Sequence, residues 1–67
     1  MAFMEMKQLT REIITKCKEG EILVRVAYEK LAALFEEKVI SFEEIVAANN
    51  KIYLVELQNL KEKYSFG

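Results

Sequence analysis

The chain has 67 residues, 11 acids against 10 bases, and no His, Pro, Trp or Asp. At 7.8 kDa a folded chain exposes roughly 4,400 Å² against roughly 11,000 Å² extended, which allows one small core and no second domain. A lone cysteine without any histidine leaves a structural zinc or haem site short of ligands, and removes the usual acid–base residue of neutral-pH catalysis.

All the acids are Glu, eight of the ten bases are Lys, and Ala and Leu supply thirteen residues. This is a helix-forming composition. Two Gly and no Pro leave little turn chemistry for a multi-stranded sheet. The expected class is all-α: a small three-helix protein built on an antiparallel helical hairpin and completed into a helical bundle by dimerisation. Residues 1–67 form one helical domain, with 1–3 and 65–67 expected to fray.

The first helix is expected over about 4–18, where Lys16 and Lys18 precede Gly20 as a helix C-terminus precedes its glycine. Thr10 offers a second start, with Leu9 and Ile14 spaced as a hydrophobic staple. A second helix spans about 21–37. The competing reading is one helix over 5–37 with Gly20 inside it, at about 1 kcal/mol relative to Ala. Ile22–Val26 and Ile52–Val55 have strand propensity, but Val24, Tyr28, Leu31 and Phe35 step at the helical period without turn residues. Ser41-Phe42-Glu43-Glu44 reads as a capping box: the Ser41 hydroxyl accepts from the Glu44 N–H, and Glu44 reaches back to Ser41. A third helix follows over about 42–64, with Glu43 and Glu44 at its positive end and Lys61 and Lys63 at its negative end.

The last helix carries more apolar surface than one core face requires. Val46, Asn50, Tyr53, Leu57, Leu60 and Tyr64 step by four and three as in a coiled-coil seam. Ile45, Ala48, Ile52 and Val55 form a second stripe about one residue's rotation away. Helix 2 doubles in the same way, with Ile22, Val26 and Ala33 beside its main line. Three helices cannot hide both stripes within one monomer, so the surplus is expected to be buried by self-association. The expected interface residues are Ile22, Val26, Tyr28, Ile45, Asn50, Ile52, Tyr53 and Val55. Asn50 within the seam is placed to fix register by pairing with its symmetry mate.

No catalytic, cofactor-binding or metal-binding residue is expected. Cys17 lies between Lys16 and Lys18, but it has no histidine base and sits near a helix C-terminus, so it reads as a buried structural thiol. Glu36, Glu37, Glu43 and Glu44 flank a turn without the glycine or spacing of a calcium loop. Mixed charge without a basic stripe argues against nucleic acid, and a recognition helix opening Phe42-Glu43-Glu44 would present negative charge to phosphate. No apolar run is long enough to span a membrane. Glu5 ahead of any apolar run argues against a signal peptide, and a single cysteine suits a reducing cytoplasm.

Leu31–Leu34, followed by Glu37-Lys38-Val39-Ile40-Ser41-Phe42-Glu43-Glu44, resembles the short helical hairpins of the SHOCT type, over about twenty of the 67 residues. Lys38 stands where those hairpins usually have Gly. The resemblance implies a bacterial or phage oligomerisation or adaptor module. The expected function is a non-enzymatic cytoplasmic protein–protein interaction module that binds itself and another protein, with no small-molecule substrate and no membrane. Two alternatives are a phage or mobile-element inhibitor of a host enzyme and a nucleic-acid-binding regulator built as a helical-hairpin dimer.

Overall fold

A computed structural model describes residues 6–64. They form three helices, α1 (Gln8–Lys18), α2 (Val24–Glu36) and α3 (Phe42–Lys63), and no strand is present among the described residues. The all-α class is as expected, and the break at Gly20 rules out a single helix over 5–37. The expected frayed ends, 1–3 and 65–67, lie outside the described residues.

Two helix ends share one mechanism. At the end of α1 the Glu21 N–H donates to the Lys16 carbonyl at 2.8 Å and the Gly20 N–H to the Cys17 carbonyl at 3.1 Å. This is the Schellman pattern, and Gly20 occupies its left-handed position at φ +81°. At the end of α2 the Val39 N–H donates to Leu34 at 2.9 Å and the Lys38 N–H to Phe35 at 3.0 Å. Here the left-handed residue is Lys38, at φ +63°.

A side chain in that conformation costs roughly 1–2 kcal/mol, more than the roughly 0.5–1 kcal/mol of backbone entropy that glycine loses on folding. Lys38→Gly is therefore expected to stabilise the chain by about 0.5–1 kcal/mol, raising the midpoint of a thermal melt by roughly 3–6 °C. An unchanged or lower midpoint would show that Lys38 is not strained.

The helix starts differ from those expected. Helix α1 begins at Gln8 rather than near residue 4, and Lys7, its N-cap, offers no side-chain cap. Helix α2 begins at Val24 rather than 21, because the Schellman turn occupies Glu21 and Ile22 and Leu23 are still extended or bent. Only α3 has a local side-chain cap: the Glu44 N–H donates to the Ser41 hydroxyl at 3.1 Å.

The other half of the expected capping box is replaced by a tertiary contact. The Glu44 carboxylate accepts from the Lys7 N–H at 2.9 Å and from the Thr10 hydroxyl at 2.7 Å, both on Oε2. Glu44 thus supplies, from α3, the acceptor that α1 lacks at its own N-terminus. Thr10 is fully buried and Glu44 nearly so, so the pair pins α1 to the start of α3.

The core around this pin is small. Cys17 from α1, Ala27 and Leu31 from α2, Ile40 from the turn, and Ala48 and Ile52 from α3 are buried together. Ala27 and Ala48 have no accessible surface; side chains this small are enclosed only where neighbouring elements approach the backbone closely. All three pairs of helices touch, and the molecule is a thin plate of 43 × 29 × 15 Å.

Candidate interaction face

Helix α3 has 22 residues, against 11 in α1 and 13 in α2. At about 1.5 Å per residue it is roughly 33 Å long, and its partners are roughly 17 and 20 Å. Beyond Glu56 every described residue of α3 is exposed. The helix therefore projects past the core that holds it.

Two apolar stripes run along α3. Glu44, Ala48 and Ile52 are buried and Val55 is half-buried. The steps of four from Glu44 through Ala48 to Ile52 make the ridge that ordinary helix crossings use, and Val55 extends it by a step of three. The seam of Val46, Asn50, Tyr53, Leu57, Leu60 and Tyr64 is exposed at every position. At about 100° per residue the two lines lie roughly 165° apart, on nearly opposite sides of the helix.

The expected interface residues are thereby divided between a buried and an exposed side. Ile52, expected at an interface, is 0% exposed, whereas its neighbour Tyr53 is 51% exposed. Ile22, Tyr28, Ile45 and Val55 are half-buried and pack against the core, and Val26 is half-buried on α2. Five of these six, Ile52 included, pack in or against the chain's own core. Of the eight expected interface residues, only Asn50 and Tyr53 lie on the exposed face. The reason is steric. Ala48 lets two short helices approach one line of α3, and neither is long enough to cover a nineteen-residue seam.

Two members of the exposed face were not anticipated from spacing. Phe42 is 67% exposed and continues the seam one turn toward the N-terminus. Its ring lies 6.2 Å from that of Phe35 on α2, tilted by 57°. Leu54, which falls on neither stripe, is exposed along the seam's flank. The step of four from Phe42 to Val46 was the signal available for the first of these. The Phe35 contact depends on how the turn folds. At the far end the Lys63 ammonium sits 5.5 Å from the centre of the Tyr64 ring.

The titratable groups near the core face are chemically quiet. Burial pushes the Cys17 thiol above its ordinary value of 9.0, and the nearby Glu56 carboxylate adds to this. Burial likewise raises the Tyr28 phenol, with further contributions from Glu56, Cys17 and Tyr53. Both shifts favour the protonated form, so the stability they confer is complete below the unfolded-state values. It is lost as pH rises through the folded-state values. The thermal midpoint is expected to fall above about pH 9, and Cys17 is expected to react with a thiol reagent at neutral pH far more slowly than in the unfolded chain. A midpoint that stays level from pH 8 to 11 would contradict this.

Among the described residues, no group of three His, Cys, Asp or Glu side chains is placed to hold a metal ion. No described helix is long and apolar enough to cross a membrane. The Asn49 Oδ1, between the two stripes, is the one buried side-chain polar atom among the described residues without a hydrogen-bond partner. Compared with family models, curated proteins and solved structures, the chain shows no significant match to any of them.

Proposed function

We propose that the protein is a small non-enzymatic interaction module whose working surface is the exposed seam of α3. One observation carries this reading. Phe42, Val46, Tyr53, Leu54, Leu57, Leu60 and Tyr64 are each 42–67% exposed along a single helix. At ~200 Å² for a fully exposed large residue they present roughly 750 Å². The largest apolar patch on a typical monomer is about 300–600 Å², and larger ones mark contact sites. The face is also rich in Tyr and Phe, which are favoured at protein interfaces.

A photoreactive side chain in place of Leu54, irradiated in the cells that carry the protein, tests this directly. It should yield one or two discrete protein adducts, which the added substitution Leu57→Glu abolishes. A chain that forms no adduct, or the same adducts with Leu57→Glu present, would overturn the proposal.

A further inference from the structure

Resting on the interaction role proposed for the seam, we infer that its occupant is a second copy of this chain. The two α3 helices run parallel about a two-fold axis, and Asn50 meets the partner's Asn50. The area agrees: a stable interface of standard size takes about 800 Å² from each partner, close to the roughly 750 Å² that the face presents.

The spacing sets the shape of the occupant. Steps of four, three, four, three and four average 3.5 residues, a repeat that stays in contact only with another helix wound around it. Six seam positions from Val46 to Tyr64 extend over roughly 27 Å at about 1.5 Å per residue, so the occupant is a helix of at least that length. Helix α3 itself, with 22 residues, is such a helix.

Polar groups select the direction. In a parallel pair each seam residue meets its own counterpart, and two Asn50 amides are donor and acceptor for one another. Glu56 then lies beside the partner's Lys61, five residues further on, and symmetry repeats this pair on the other flank. An antiparallel pair centred on the seam would set Asn50 against the partner's Leu60, leaving a desolvated amide without a partner. It would also bring Glu56 against the partner's Glu56.

The test uses Asn50→Cys in the otherwise unchanged chain, since Cys17 is only 3% exposed and stays out of reach. In a glutathione redox buffer, oxidised glutathione takes two electrons from the two facing thiols. It leaves as two reduced molecules as the interchain disulfide forms. Most chains should become covalent dimers, while the unsubstituted chain stays uncrosslinked.

Two results would overturn the pairing. If sedimentation shows a dimer that Leu57→Glu dissolves, yet Asn50→Cys does not crosslink, the parallel arrangement is wrong while the interaction role stands. Crosslinking between a Tyr53→Cys chain and a Leu57→Cys chain would then identify the antiparallel arrangement. If the chain sediments as a monomer at every concentration, self-pairing is wrong, and the cellular adducts alone decide the interaction role.

Discussion

Replacing Glu44 with Ala is expected to lower the unfolding free energy by about 3 kcal/mol or more. The carboxylate is the acceptor for both the Thr10 hydroxyl and the Lys7 N–H. Its removal strands a hydroxyl that has no access to water, and a buried donor left unsatisfied costs about 1–3 kcal/mol. The truncated stem adds a cavity at the α1–α3 contact. A chain of this length has on the order of 3–10 kcal/mol to lose, so much of the variant should be unfolded near physiological temperature. Glu44→Gln keeps an acceptor oxygen and should cost roughly half as much or less. Urea titration followed by circular dichroism measures both. A cost under about 1 kcal/mol for Glu44→Ala would show that α1 is held by apolar packing alone.

The second large effect concerns association rather than folding. Leu57 is 42% exposed at the middle of the seam, so Leu57→Glu should leave the helical signal and the denaturation midpoint of the isolated chain nearly unchanged. In a two-fold pair the substitution acts twice. Each copy loses an apolar anchor and places a carboxylate against its symmetry mate. Central interface positions are commonly worth about 2 kcal/mol or more each, so the pair should weaken by roughly 4 kcal/mol, about a thousandfold in Kd. Association that survives this change would place the interface elsewhere.

The helical class and the third helix were readable because their signals are local: composition, a capping serine, and glycine or lysine at helix ends. Helix α1 was placed too early, since its true start depends on Glu44, which lies 34 positions beyond Thr10. No local signal encodes a cap borrowed from another helix, and Glu44 seemed already assigned to Ser41. The surplus of apolar surface on α3 was also legible, and so was its division into two stripes. Which stripe turned inward was not, because periodicity is identical for a line packed within the chain and one that waits for a partner. The deciding features were tertiary: the small Ala48 in the line of Glu44 and Ile52, and the shortness of α1 and α2. Lys38 shows the reverse case, in which the sequence lacks the expected glycine and the backbone nevertheless takes the left-handed turn.

Two stripes on nearly opposite sides of one helix divide α3 into a buried folding face and an exposed face, the one proposed to bind. Sedimentation equilibrium of the unsubstituted chain and of Leu57→Glu, over a range of concentrations, tests this division most directly. The unsubstituted chain should approach twice its 7.8 kDa mass as concentration rises, while Leu57→Glu stays at the monomer mass with its helices intact. A monomer mass for both chains would contradict self-pairing, and a dimer mass for both would contradict the assignment of the seam.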